Sequence, residues 1–393
     1  INMLNFENTE SAFEYQSKKE LKKAYFLFSL LKYPFLVKLG SILTVIAFKM
    51  GLPIKSIVKT TIFRQFCGGE SIDESEDRIS QLARYNVGTI LDYCVEGKEN
   101  DNDFEKTKDE IIQSIIKAKE NQHIPFSVFK VTGLGPSSII RKANYHEELD
   151  DKEKLVLKSI KKRVNEICKK AHDNQVSIFI DAEDSWFQDF IDELALDMML
   201  TYNKKSAIIF NTIQLYRHDR LPYMKNLITK CKDSRVKCGL KIVRGAYMEK
   251  ERGEAKINGY EDPIHTTKED TDKDYNKAID HCLNHIDKLS ICAGTHNEFS
   301  TKYLTEKMSK LNLKNNDNRV WFAQLLGMSD HISFNLSKNG YNTAKYVPYG
   351  PIKEVLPYLI RRAKENTSVA GQTGRELSLI KKEIKRRKSG NIS

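Results

Sequence analysis

Two short segments that lie far apart in the chain carry the side chains best suited to chemistry. The first, 241–247 (KIVRGAY), ends an apolar, strand-like run in an arginine, a glycine and a tyrosine. The second, 358–366 (YLIRRAKEN), places two adjacent guanidinium groups, Arg361 and Arg362, on a predicted helix, with Glu365 just beyond them. Each guanidinium can donate two parallel hydrogen bonds to a carboxylate or a phosphate. The arginine pair therefore predicts a small anionic ligand.

Eight apolar runs could supply the strands that position these residues. Charged stretches with helical spacing lie between them, and strands separated by helices pair in parallel through crossover connections. Eight such units predict a closed (β/α)₈ barrel of the α/β class, with a doubly wound open sheet as the alternative. The predicted strands are 87–95, 126–131, 177–181, 207–213, 239–243, 291–293, 320–325 and 344–347. The predicted helices include 155–170, 186–202, 274–289 and 300–311.

The open sheet is weakened because phosphate-binding fingerprints are missing. The run Gly133-Leu134-Gly135 begins like a dinucleotide-binding loop, but Pro136 follows it and Ser138 stands where the third glycine would be. The sequence contains neither a GxxxxGK[ST] loop nor an HExxH motif. We therefore predict neither a phosphate loop nor a zinc site.

A barrel enzyme carries its reactive side chains where the strands end. Polar residues do stand at or just beyond the ends of most predicted strands. They are Glu96, Lys130, Asp181 with Glu183 and Asp184, Gln214, Arg244, Thr295 with His296, and Tyr346. An acidic run after a strand is also typical of a helix N-cap. The repetition along the chain nevertheless favours one shared site.

These residues lie in segments that resemble the proline dehydrogenase (proline oxidase) family, flavoenzymes that oxidise L-proline to Δ¹-pyrroline-5-carboxylate. The resemblance runs in order over roughly residues 60–370, and it is to the monofunctional enzymes. Besides the two segments above, those that carry it are 91–97 (LDYCVEG), 180–183 (IDAE), 210–214 (FNTIQ), 259–263 (GYEDP), 295–298 (THNE), 324–328 (QLLGM) and 346–351 (YVPYGP).

The resemblance implies an FAD site in the mouth of the barrel and assigns roles by position. Asp181 and Lys241 would form the catalytic group, with Lys241 as the cation near flavin N5, where many bacterial relatives have arginine. Arg361 and Arg362 would clamp the proline carboxylate. The full set of substrate-binding residues would be Lys130, Tyr346, Arg361, Arg362 and Glu96. The cofactor-binding residues would be Ala182, Gln214, Arg244, Gly245, Ala246, Thr295 and His296, and no metal is implied.

The resemblance also implies a domain organisation. Residues 1–84 would form an N-terminal helical arm, 85–370 the FAD-binding catalytic barrel, and 371–393 a basic C-terminal tail. The resemblance also implies that the eighth helix of the barrel lies over the barrel mouth. A helix on the outside would carry the arginine pair away from the strand ends.

The net charge of +11 would suit a nucleic acid or an anionic membrane, but most lysines alternate with acidic residues, which is typical of solvated helix faces. Segment 21–50 is rich in Phe, Leu and Ile, yet its longest uncharged stretch, 39–48, is shorter than the roughly 20 apolar residues that span a bilayer. We expect a helical hairpin packed on the protein or, alternatively, interfacial contact with a membrane. The family passes electrons to a membrane quinone, so 21–50 and the basic run 381–388 are the candidate contacts.

The seven cysteines include no Cys-x-x-Cys pair, which is typical of reduced thiols in a cytosol-like compartment. The polar N-terminus is unlike a secretory signal, and its early glutamates are unlike a mitochondrial presequence. We therefore expect the bacterial cytoplasm, peripheral to the inner membrane, with the mitochondrial matrix as the alternative.

Three other functions stay open. Hydroxyproline could replace proline, although Tyr346 should crowd a ring hydroxyl. A flavin barrel related to methylenetetrahydrofolate reductase would not explain the arginine pair. A non-catalytic, basic nucleic-acid-binding protein would bind polynucleotides in a salt-dependent way and hold no flavin. We favour L-proline, and expect no nucleic-acid partner.

Overall fold

Eight parallel strands close into a barrel in chain order, which confirms the predicted (β/α)₈ fold and excludes the open sheet. The structure, a computed structural model, describes residues 4–95, 100–368 and 372–390. The strands are β1 (Val87–Tyr93), β2 (Phe126–Phe129), β3 (Ser177–Ile180), β4 (Ile209–Gln214), β5 (Cys238–Val243), β6 (Leu289–Gly294), β7 (Val320–Leu325) and β8 (Thr343–Tyr349).

The described helices precede, separate and follow the strands. They are α1 (Thr9–Phe13), α2 (Lys18–Leu31), α3 (Pro34–Lys49), α4 (Lys55–Val58), α5 (Arg64–Phe66), α6 (Glu76–Ala83), α7 (Asp101–Glu120), α8 (Ser137–Asn144), α9 (Asp151–Asn174), α10 (Ser185–Tyr202), α11 (Arg220–Asp233), α12 (Met248–Asn258), α13 (Lys268–Leu283), α14 (Glu298–Lys310), α15 (Asp330–Lys338), α16 (Ile352–Ser368) and α17 (Gln372–Ser389).

Local capping signals explain where several elements begin and end. Helix α9 starts earlier than predicted because Asp150 and Glu153 form a reciprocal capping box. The predicted helix 274–289 is wrong at both ends, since Thr267 caps the start of α13 and Leu289 already belongs to β6. The predicted strand 126–131 is too long, because a 3₁₀ turn follows Lys130.

Aromatic rings fill the interior of the barrel below the strand ends. Phe126 and Phe179 stack with centroids 4.4 Å apart, and Phe126 also meets the edges of Phe210 and Trp321. These rings come from strands β2, β3, β4 and β7, which are not all neighbours, so they face the interior. Gly239 of β5 leaves room for this layer, because a Cβ there would lie 2.8 Å from the Phe210 ring.

The chain forms two compact units, which we call the terminal unit (Ile1–Gly97 with Gln324–Ser393) and the central unit (Lys98–Ala323). The domain boundaries at residues 84 and 370 stay predictions. Within the terminal unit, Val355 and Leu359 of α16 are buried with Phe28 of α2 and Phe66 of α5. The position of α16 over the barrel mouth stays a prediction from the resemblance.

The segment predicted as a basic tail contains a long helix, α17, with a buried face. Leu379 and Ile380 join the apolar cluster of the terminal unit. Arg387 donates hydrogen bonds to the carbonyl oxygens of Phe13 and Gln16, both at 2.7 Å. Much of the basic run is therefore engaged by the protein itself.

Within the described residues, no single helix is both long and apolar enough to cross a bilayer. Helices α2 and α3 reach that length and hydropathy only as a pair, and the pair is bent by 101°.

Candidate active site

Asp181, which directly follows β3, binds two lysines at once. Lys241 of β5 forms an ion pair with Oδ1 of Asp181, and Lys130, directly after β2, reaches Oδ2 at 3.2 Å. Burial by itself would raise the pKa of the Asp181 carboxyl. The charges of Lys241 and Lys130 outweigh burial and hold this pKa below its ordinary value. The carboxylate is therefore ionised at neutral pH.

Sheet register and an aromatic ring fix the position of the Lys241 ammonium group. Lys241 is paired with Thr212 of β4 on one side and Cys292 of β6 on the other. Its Nζ lies 5.0 Å from the centre of the Phe179 ring, within the range of a cation–π contact. Lys241 is only 4% exposed. Its charge is thus held in a buried setting by the Asp181 carboxylate.

Glu183, two residues beyond Asp181, anchors the turn that carries Lys130. The backbone N–H of Thr132 donates to Glu183 Oε1 at 3.0 Å, and the Thr132 hydroxyl donates to Oε2. Burial raises the pKa of Glu183 to about 7, although the hydrogen bonds from Thr132 oppose this. In the sequence, Glu183 is visible only as one member of an acidic run.

The N-cap interpretation of that acidic run is only partly correct. Asp184 occupies the N-cap position of α10, but its side chain makes no capping hydrogen bond there. It pairs with Lys250 at 2.7 Å. The run therefore supplies three carboxylates, each of which binds different partners.

Gln214 and the loop after β5 meet at the ends of adjacent strands. The Gln214 side chain donates from Nε2 to the carbonyl oxygen of Glu183 at 2.8 Å, and the Ala246 N–H points to its Oε1 at 3.4 Å. Gly245 has a φ of +140°, and a Cβ there would lie 2.5 Å from the Tyr216 ring. Glycine at position 245 therefore lets the loop pass close to Tyr216.

Arg244 is held by three partners around its planar guanidinium group. Nε donates to Asp272 at 2.7 Å, Nη1 to the Thr295 hydroxyl at 2.7 Å, and Nη2 to the Ser300 hydroxyl at 2.9 Å. The group also lies over the Tyr275 ring at 4.4 Å. Arg244 and Thr295, which were predicted to lie in one site, thus contact each other directly. Asp272 and Ser300 also bind Arg244, and no pattern in the sequence predicted either of them.

Two more residues of the central unit were predicted to bind the cofactor, and they lie next to site residues in the sequence. Ala182 is buried directly beside Asp181, and His296 is half-buried next to Thr295.

The arginine pair lies on α16 in the terminal unit. Arg362 is buried, donates to Glu365 at 2.5 Å and lies 5.1 Å from the centre of the Tyr358 ring. Burial raises the pKa of Glu365, although the charges of Arg362 and Arg361 lower it. Glu365, three residues further along the same helix, therefore helps to hold Arg362.

Two further predicted residues belong to the terminal unit. Tyr346 is a buried residue of β8. Glu96, predicted to support the arginine pair, lies outside the described residues.

Comparisons with known proteins give a consistent result. The family model described as proline dehydrogenase matches residues 75–375. A carbapenem antibiotics biosynthesis protein, CarD, of Pectobacterium carotovorum is 32% identical over 83% of this chain and 85% of its own length. The mitochondrial proline dehydrogenase 1 of Dictyostelium discoideum is 34% identical over 86% of this chain and 67% of its own length.

Other similar proteins are considerably longer than the part they share with this chain. The mitochondrial proline dehydrogenase 1 of Homo sapiens is 40% identical over 62% of this chain, but only 41% of the human protein is covered. A crystal structure of proline utilization A from Bdellovibrio bacteriovorus superposes with a TM-score of 0.74 at 19% identity. That match covers 94% of this chain and 40% of the larger one, and at this identity it supports the barrel fold alone.

Proposed function

Because the chain belongs to the proline dehydrogenase family, we propose that it oxidises L-proline to Δ¹-pyrroline-5-carboxylate with FAD as its cofactor. The observation that carries this proposal is the buried Asp181 carboxylate, bound by Lys241 and Lys130 at the ends of the strands. This carboxylate holds two ammonium groups in place where a barrel enzyme holds its reactants.

The donors at the ends of β4, β5 and β6 fit a flavin dinucleotide. A flavin ring offers both hydrogen-bond donors and acceptors along its pyrimidine edge, and the dinucleotide adds a diphosphate. The side-chain amide of Gln214 suits the ring edge, and the guanidinium of Arg244 suits an anionic group. The residues that would hold FAD are Ala182, Gln214, Arg244, Gly245, Ala246, Thr295 and His296.

When bound, FAD would supply the acceptor for the hydride on the carbon beside the ring nitrogen of proline. The protein contributes position and charge. Lys241 would supply a cation near the atom that gains electron density, and Asp181 keeps the Lys241 ammonium in one place. Because the protein itself supplies both partners of this ion pair, little reorganisation would be needed during the reaction.

Arg361 and Arg362 would bind the proline carboxylate, with Lys130 as a third cation. The charge of that carboxylate does not change during the reaction, so the arginines would act mainly on binding and orientation. Tyr346 would pack against the pyrrolidine ring and disfavour a ring hydroxyl, and Glu96 would help to hold the arginine pair.

We further propose a membrane quinone as the electron acceptor.

A reducing compartment fits the seven cysteines, all of which are buried thiols. Both the bacterial cytoplasm and the mitochondrial matrix meet this condition, and named relatives include bacterial and mitochondrial proteins.

An absorption spectrum of the purified protein, before and after anaerobic addition of L-proline, tests the proposal. We expect a flavin band that bleaches with L-proline and much less with hydroxyproline or D-proline. Release of FAD on denaturation, identified by mass, would name the cofactor. Equal bleaching by hydroxyproline would favour the hydroxyproline enzyme, whereas protein that cannot be loaded with FAD would overturn the proposal.

A further inference from the structure

Helices α2 and α3 expose an unusual amount of apolar surface. Of the twenty large apolar side chains that are exposed in the described part of the chain, thirteen lie between residues 25 and 57. Phe26 of α2 and Phe35 of α3 are 65% and 73% exposed. A surface helix of a globular protein normally turns its polar face to water. We call these thirteen side chains, which lie on α2, α3 and the residues between and after them up to Ile57, the α2–α3 surface.

The exposed side chains of α3 form a stripe and are not scattered. Leu36, Leu39, Leu43, Ile46 and Met50 follow one another at intervals of three or four residues and are all exposed. This spacing places them on one side of the helix. In α3 only Val37 is buried, so most of the apolar stripe has no partner within the described protein.

The charge of this region is positive throughout. Between Leu21 and Gly69 the sequence contains no Asp or Glu but has eight Lys and Arg residues. Five exposed lysines form no ion pair within the described residues, in contrast to Lys55 and Lys59, which pair with Glu70. The five are Lys22, Lys23, Lys32, Lys38 and Lys49.

We propose that the α2–α3 surface binds a bilayer that contains anionic lipids, with its helices lying parallel to the membrane surface at the level of the headgroups. The apolar side chains would enter the boundary between headgroups and acyl chains, and the unpaired lysines next to them would bind the anionic headgroups. At 16 residues α3 is about 24 Å long, which suits a helix lying in the interface better than one spanning it. The inference rests on the proposed function in one respect, because it supplies the membrane contact that a quinone acceptor requires.

The basic run of α17 fits this role less well. Arg386 and Arg387 both donate to Glu383, and Arg387 also binds the backbone near the N-terminus. The apolar residues of α17, such as Leu379 and Ile380, are buried. Its charges are therefore partly neutralised and carry no exposed apolar stripe.

Vesicle co-sedimentation of the full chain tests the proposal. We expect binding to vesicles of equal parts phosphatidylglycerol and phosphatidylcholine, weak binding to phosphatidylcholine alone, and loss of binding in high salt. The triple variant Phe35→Ser/Ile42→Ser/Ile46→Ser should bind at least about tenfold more weakly, since three large apolar side chains no longer enter the interface. Lys32→Ala/Lys38→Ala should also weaken binding, by roughly fivefold for each lysine.

Two control variants make the result specific. Leu155→Ser/Ile257→Ser/Phe299→Ser changes three exposed apolar residues elsewhere, which are on average more exposed than the three in the first variant, and should bind like the wild type. Lys381→Ala/Lys385→Ala/Lys388→Ala removes exposed charges of α17 and should also retain binding. Loss of binding only in the α17 variant would overturn the assignment to α2–α3.

A second set of measurements separates this proposal from the proposed function. Proline oxidation with a soluble dye as electron acceptor should be the same in the wild type and in all four variants, because none changes a proposed site residue. Wild-type protein that turns over with the dye but does not bind anionic vesicles would overturn only the membrane proposal. A dimer in lipid-free solution that the Phe35 triple variant dissociates, without vesicle binding by the wild type, would identify the surface as an interface between copies.

Discussion

Lys130 and Lys241 bind different oxygens of the single Asp181 carboxylate, although they lie at the ends of β2 and β5, which are not neighbours in the barrel. Lys130 lies 51 residues before Asp181 in the sequence and Lys241 lies 60 residues after it, and both contact this one carboxylate. The Asp181 carboxylate binds the Lys241 ammonium group directly. The ion pair can therefore be tested by substituting either residue.

Asp181→Asn should damage both stability and turnover. The substitution leaves two lysines close together in a buried site without a counter-charge, and we expect a loss of about 3 kcal/mol in the free energy of unfolding. Proline turnover should fall as well. Urea unfolding and steady-state kinetics measure the two effects, with the exposed Asp197→Asn as the control that should change neither.

A double variant tests whether the Asp181 effect arises from the ion pair. Asp181→Asn/Lys241→Met should be more stable than Asp181→Asn alone, because it also removes a buried charge that has lost its partner. Stability losses that simply add would argue against direct coupling between positions 181 and 241.

The Glu183 carboxyl should make stability fall as the pH rises from about 4.3 towards 7. Burial raises the pKa of Glu183 to about 7 in the folded protein, against about 4.3 when unfolded. The folded state therefore binds more protons in this window, and the total effect is on the order of 3 kcal/mol. Above pH 7 both states are ionised and the dependence ends.

Glu183→Gln should flatten that part of the pH profile, because glutamine cannot ionise. Denaturant unfolding at a series of pH values gives the measurement. The exposed Glu193→Gln on α10 should leave the profile unchanged, and a slope that persists in Glu183→Gln would show that another group titrates.

Substitution of the arginine pair should mainly affect substrate binding. We expect Arg361→Ala and Arg362→Ala each to raise the KM for proline by roughly tenfold to a hundredfold, with a smaller change in kcat, because the proline carboxylate keeps its charge during the reaction. The flavin should stay bound. Lys364→Ala, an exposed residue of the same helix, should have a wild-type KM, and an unchanged KM in both arginine variants would remove their proposed role.

Gly245→Ala should disturb the proposed cofactor site. A Cβ at this position would both meet the Tyr216 ring and strain a backbone with φ of +140°, at a cost of about 1–3 kcal/mol. We expect less bound flavin per protein, measured by absorbance after purification. Gly253→Ala in α12 is the matched control, since nothing lies within 4 Å of its added Cβ, and it should stabilise the helix by about 0.5–1 kcal/mol.

Much of the architecture could be predicted because it depends on local sequence. The alternation of apolar runs and helical stretches is a property of consecutive residues, so the eight strands were predicted near their observed positions, and β7 was predicted at its observed bounds. The placement of polar residues after strands follows from the same alternation. Errors arose where a local cap was overlooked, as with Thr267 at the start of α13.

The partners of the site residues could not be predicted, because they are separated in sequence by tens of residues. No local pattern pairs Lys241 with Asp181 or Arg244 with Asp272. The segment predicted as a basic tail likewise contains a helix that packs against residues near the other end of the chain, as Leu379 does in the apolar cluster. The sequence by itself determined the order of elements and the chemical groups at the strand ends. Tertiary structure alone decided which charges neutralise each other and which remain exposed, since a charge or an apolar face is satisfied by proximity in space and not in sequence.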